Sequence, residues 1–158
     1  MSTKNSNLSD FDSSSLPRGS SLTIGIVVSE WNKKITESLF NGAFTTLTDF
    51  GVKSDNIKRI DVPGSFELVF GSKKMIQSNV DVVIAIGCVI KGETKHFDYI
   101  CQSVSKGIVD LNINFDTPVV FCVLTDNNMQ QSIDRSGGIH GNKGVEAAIT
   151  ALKLANLN

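Results

Sequence analysis

Two rhythms of apolar and polar positions alternate along the chain from Ser21 onward. LTIGIVVS (22–29) is a short, continuous, β-branched run of the kind that forms a strand buried on both faces. In NKKITESLFNGAFTTLTDFG (32–51), Ile35, Leu39, Ala43, Leu47 and Phe50 recur near helical spacing, and Gly51 stands where a helix would stop. The alternation then repeats. NIKRIDVPG (56–64) predicts a second strand ended by Pro63-Gly64, and SFELVFGSKKMIQS (65–78) a second helix. VDVVIAIGCVI (80–90) predicts a third strand and HFDYICQSVSKGIVDLNINF (96–115) a long helix. PVVFCVLT (118–125) predicts a fourth strand with Pro118 at its first residue, where the missing N–H is tolerated. NMQQSIDRSGG (128–138) reads as a short helix closed by glycines. NKGVEAAITALKLANL (142–157) is a last helix, striped by Val145, Ala148, Ile149, Leu152 and Ala155.

Strands alternating with helices imply βαβ units and a parallel sheet, and apolar strands imply helices on both faces. With right-handed crossovers the fold class is α/β: a three-layer α/β/α sandwich, flavodoxin-like, around a four-stranded parallel sheet. Residues 21–158 are expected to form one domain. Residues 1–20, MSTKNSNLSDFDSSSLPRGS, show no sustained period and lack the basic start and apolar core of a signal peptide. This stretch reads as a disordered, Ser-rich, solvated tail, with docking through Phe11 and Leu16 as the other reading.

Composition narrows the function. At 41% hydrophobic and 20% charged residues, with a formal net charge of -1, the chain has no basic footprint for nucleic acid. No apolar run approaches the ~20 residues of a membrane span. Cys88, Cys101 and Cys122 form no CxxC pair and read as reduced thiols of a cytoplasmic protein. With only His96 and His140 beside them, no metal site is expected.

In open parallel sheets, ligands bind beyond the carboxyl ends of the strands. The unusual residues of this chain fall there: SEWN (29–32), VPGSFE (62–67), GCVIKGETKH (87–96) and LTDN (124–127). Gly92, Glu93 and Thr94 enter a helix, so their N–H groups could cradle a phosphate; alternatively Thr94 is only an N-cap. His96, in the first helical turn, is either a proton acceptor held neutral by the helix dipole or an inert surface group. Trp31 could stack on a planar heterocycle or plug the end of the core. Ser65 and Phe66 offer free backbone groups after the Pro63-Gly64 turn, and Glu67 either accepts from hydroxyls or complements the helix dipole. Arg135 and Lys143, either side of SGGIHGN, suit a phosphate or are solvated charges.

VPGSFE, GCVIKGETKHFDYI and DRSGGIHGNKGVEAA, in this order and spacing, closely resemble the lumazine synthase family over roughly residues 22–157. That resemblance implies condensation of 5-amino-6-(D-ribitylamino)uracil with 3,4-dihydroxy-2-butanone 4-phosphate to 6,7-dimethyl-8-ribityllumazine, the penultimate step of riboflavin biosynthesis, with no metal or organic cofactor. It implies His96 as the acid/base. Trp31, where the family often has Phe, would stack on the pyrimidine. Ser65, Phe66 and Glu67 would hold the ribityl chain and pyrimidine edge, and Cys88, Val89 and Ile90 would line the pocket through backbone groups. Glu93 and Thr94 with Arg135 would bind phosphate. Phe121 and Lys143 would complete the pocket, with Phe121, Arg135 and Lys143 supplied by a neighbouring subunit. A homo-oligomer follows: a pentamer, and, since RSGGIHGNKG carries no insertion, a 60-subunit shell of twelve pentamers, with riboflavin synthase as a further partner. Ile139 and His140 depart from the family, which commonly has Lys and a small residue there.

Overall fold

The computed structural model of the chain describes residues 17–157. Its elements, in chain order, are β1 (Ile24–Ser29), α1 (Lys33–Asp49), a single 3-10 turn (Ser54–Asn56), β2 (Ile57–Val62), α2 (Leu68–Ile76), β3 (Val82–Ile90), α3 (His96–Asn114), β4 (Val119–Asp126), α4 (Met129–Arg135), β5 (Ser136–Gly138), β6 (Gly141–Asn142) and α5 (Lys143–Leu154). The four long strands form one parallel sheet in the order β2-β1-β3-β4. Every strand–strand step carries a helix, which is what a parallel connection requires.

Side-chain alternation sends each strand into two cores. Ile24, Ile26 and Val28 of β1 and Ile84, Ile86 and Cys88 of β3 pack under α1 and α5, against Leu39, Ala43, Leu47, Ala148 and Leu152. Val27, Val83 and Ala85 face the other way, against Leu68 and Met75 of α2 and Val104, Ile108 and Leu111 of α3. Each fully buried Leu or Ile contributes about 1.5–3 kcal/mol. The two layers therefore clamp β1 and β3 from both sides and fix where their carboxyl ends lie. This is the three-layer α/β/α, flavodoxin-like arrangement that the run pattern predicts.

Two details differ from the sequence reading. Helix α2 begins at Leu68 rather than at Ser65, because Ser65–Glu67 are spent on a turn in which Leu68 N–H donates to Ser65 O at 3.2 Å. The short helix expected over 128–138 stops at Arg135, and an antiparallel β5–β6 hairpin follows. Gly137 (φ 120°) and Gly141 (φ 74°) take the left-handed backbone that lets the chain reverse there. The hairpin is fastened to α1: Ser38 Oγ donates to Ser136 O, and Asn142 Nδ2 donates to Ser38 O at 3.0 Å.

The tail expected over residues 1–20, with Phe11 and Leu16, lies outside the described residues as far as residue 16. At its described end Gly19 is buried and its N–H donates to Phe50 O at 2.9 Å, next to the end of α1.

Candidate active site

Two clefts open along the carboxyl edge of the sheet. The first, about 630 Å³, lies over the ends of β1 and β3. It gathers Trp31, Ser65, Phe66, Glu67, Cys88, Val89, Ile90, Gly92, Thr94 and His96, all singled out from sequence, together with Gly64, Phe97 and Ile100. The second, about 760 Å³, runs along β4 and holds Phe121, Arg135 and Lys143. Glu93 is exposed and lines neither cleft. The two clefts share no residue, yet they adjoin: β3 and β4 are neighbours, with Cys88 paired to Leu124 and Ile90 to Asp126.

In the first cleft, the loop between β3 and α3 is tied down at one end only. Lys91 N–H donates to Asp126 O at 2.9 Å, while the N–H groups of Gly92, Glu93, Thr94 and Lys95 have no partner among the described residues. Thr94 Oγ1 accepts from His96 N–H at 3.3 Å, a local turn contact, but the N-cap position of α3 is Lys95 and carries no side-chain cap, so Thr94 is not the N-cap. Its own proton and the free amides remain available to an anion at the start of a 19-residue helix. His96 is exposed at the rim of the cleft. Trp31 is 71% exposed, which discards the reading of a core plug. Ser65 supplies the floor. It is 6% exposed, and its Oγ has no hydrogen-bond partner among the described residues, an expensive state for a buried hydroxyl unless a ligand completes it.

Asn32 was missed by sequence reasoning. It adopts a left-handed conformation (φ 58°, ψ 43°), which Asn tolerates better than most residues, and its Nδ2 donates to Cys88 O at 3.0 Å. This bond joins the end of β1 to the end of β3 and so sets the width of the cleft between Trp31 and the Cys88 backbone. Burial pushes the thiols of Cys88 and Cys122 up, Cys122 to about 12, so both stay uncharged at neutral pH and Cys88 offers the cleft a neutral wall rather than a nucleophile.

In the second cleft the cations are not solvated surface charges. Lys143 Nζ contacts both oxygens of Glu146, at 2.7 and 2.8 Å, with both side chains mostly covered. Arg135 Nη1 donates to Gln131 O at 3.0 Å, and its Nε stands 3.8 Å from Asp126 Oδ1. Helix α4 is capped by Asn128, whose side chain accepts from Gln131 N–H at 3.0 Å. Among the described residues no group of three or more His, Cys, Asp or Glu is placed to hold a metal, and no helix is long and apolar enough to cross a membrane.

These observations define the class first: a flavodoxin-like α/β/α protein whose clefts lie along the carboxyl edge of a parallel sheet. The family model for 6,7-dimethyl-8-ribityllumazine synthase matches residues 21–158, and the chain belongs to that family. The curated protein of that name from Flavobacterium johnsoniae is 63% identical over 156 residues, 98% of this chain and 82% of its own length. The one from Christiangramia forsetii is 57% identical over 159 residues, covering 99% and 95%. The one from Porphyromonas gingivalis is 55% identical over 158 residues, covering 99% and 98%. The family is one of transferases in riboflavin biosynthesis, homo-oligomers acting on small molecules.

Proposed function

We propose that the chain condenses 5-amino-6-(D-ribitylamino)uracil with 3,4-dihydroxy-2-butanone 4-phosphate, releasing phosphate and water and forming 6,7-dimethyl-8-ribityllumazine. The family match across residues 21–158 carries this reading, and the first cleft supplies the groups it needs. The pyrimidine stacks on Trp31 between the Cys88–Ile90 backbone and Phe66. The orphan Ser65 hydroxyl and the Glu67 carboxylate take the polar edge and the ribityl hydroxyls. The free amides from Gly92 to Lys95 and the Thr94 hydroxyl hold the phosphate. Glu93 contributes through its N–H, since its carboxylate would repel the anion.

The pyrimidine amine adds to the ketone and water leaves, giving an imine. Phosphate then departs, and ring closure expels a second water. His96 moves protons between nitrogen, carbon and the leaving oxygen. Aligning an amine with a ketone is itself worth several orders of magnitude, so positioning dominates. His96→Ala is accordingly expected to slow single turnovers by about 10²-fold and to leave clear residual activity; a fall beyond about 10⁴-fold would contradict a positioning-led mechanism.

Phe121, Arg135 and Lys143 complete the site of a neighbouring subunit. The support is that one chain carries them in a second cleft, beside but apart from its own His96. Exposed apolar side chains on α3, Val109 at 52% and Ile113 at 75%, favour a covered face of the same helix. The assembly we infer is a pentamer, with twelve pentamers closing into a shell and riboflavin synthase as a further partner. The domain is assigned to residues 21–158 and the protein to the cytoplasm, where the free thiols Cys88, Cys101 and Cys122 would persist.

Incubating the protein with the two substrates tests the reading. Lumazine absorbance and phosphate release should both rise above the uncatalysed background. A protein that binds lumazine yet leaves both rates at background would be a carrier instead.

A further inference from the structure

Between the two clefts runs a chain of side chains that the reaction does not account for. Asp126 ends β4 and is 6% exposed, although an apolar strand gives no reason for a carboxylate there. Its Oδ2 accepts from Ser132 Oγ at 2.8 Å, and that hydroxyl, fully buried on α4, accepts from Cys88 Sγ at 3.4 Å. Its Oδ1 faces Arg135 Nε at 3.8 Å, an ion-pair distance rather than a hydrogen bond. Arg135 Nη1 is held separately by the Gln131 carbonyl. One flank of the guanidinium is therefore fixed by its own chain, while Nη2 has no partner among the described residues. A buried carboxylate is costly unless a cation and hydrogen bonds compensate it, and here both come from groups that aim Arg135.

We propose that Asp126 is a positioning residue for Arg135, with Ser132 fixing the carboxylate, so that the free edge of the guanidinium is presented ready-made to a phosphate. The proposal rests on the reading of Arg135 as a phosphate ligand. Two effects oppose each other when the carboxylate is removed. Arg135 loses a counter-charge, which favours an anion, but its flank contact goes too and the long side chain must be ordered at binding. Arg135 sits partly in solvent, where screening weakens the first effect, so the ordering cost wins.

Asp126→Asn is expected to raise KM for the butanone phosphate by about 3- to 10-fold and to leave KM for the pyrimidine where it was, because ordering one rotamer-rich side chain costs that much. Inorganic phosphate should weaken as a competitor in the same ratio. Ser132→Ala, which keeps the charge and loses only its tether, should shift both in the same direction by less; it serves also if Asp126→Asn does not fold. A phosphate-substrate KM that is unchanged or lower in these variants overturns the proposal, as does an equal rise in both KM values. If the unaltered protein makes no lumazine, the reading of the activity has failed instead, and calorimetric titration of inorganic phosphate into the same variants still decides the role of Asp126.

Discussion

Arg135→Ala is expected to lower kcat/KM for the butanone phosphate by about 10²-fold, a loss on the scale of that expected for His96→Ala. A charge-assisted hydrogen bond to an ionised group is worth about 1.5–3 kcal/mol, and the guanidinium fork can make two to one phosphate. Partial exposure trims that sum to about 3 kcal/mol, since each 1.4 kcal/mol is tenfold. The loss should fall on the phosphate substrate alone. Arg135→Lys should recover only part of it, because an ammonium keeps the charge without the fork. Steady-state rates with each substrate varied in turn would check this; equal effects on both substrates would place Arg135 outside the phosphate site.

Gly144→Ala is expected to be the most damaging small substitution for stability. Gly144 lies in the first turn of α5 where it crosses α1, and a Cβ there would stand 1.9 Å from Leu39 O and 2.7 Å from Leu39 C. Both atoms are backbone, so no side chain can swing away, and α1 or α5 must move. Overpacking of this kind costs about 3 kcal/mol, or a Tm lower by about 10 °C for a chain of this size. The movement would also reach Lys143 and Glu146 in the second cleft, so activity should fall with stability. Gly92→Ala is the control: a Cβ at Gly92 meets nothing within 4 Å, and its Tm should stay put. A Gly144→Ala protein that melts like its parent would contradict the packing described for α1 and α5.

Much of this was legible from residue order. Continuous β-branched runs marked β1, β3 and β4, and His96 opens α3 as the apolar period predicts. Once the strands were parallel, the topology alone brought Trp31, Ser65, Cys88 and His96 to one edge. Other features depend on distances that spacing does not encode. The β5–β6 hairpin was read as the glycine-rich close of a helix, since three- and two-residue strands carry no period. Asn32 falls at the first position of the helical segment 32–51, and nothing in the spacing marks it; only its left-handed backbone aims the amide at Cys88 O. Arg135 and Lys143 were recognisable as cations, but their partners Asp126 and Glu146 were not anticipated. A carboxylate closing the run PVVFCVLTD was the available signal, because a charge at the end of a buried strand needs a partner.

Sharing of each site by two subunits is tested most directly by mixing two damaged proteins. His96→Ala carries an intact second cleft, and Arg135→Ala an intact first one. Unfolded together and reassembled in equal amounts, they should place roughly one junction in four between an undamaged His96 and an undamaged Arg135, as a head-to-tail ring requires. Lumazine formation at limiting butanone phosphate should then rise well above the mean of the two parents. Activity equal to that mean would contradict the account, for it would place His96 and Arg135 in the same site on the same chain.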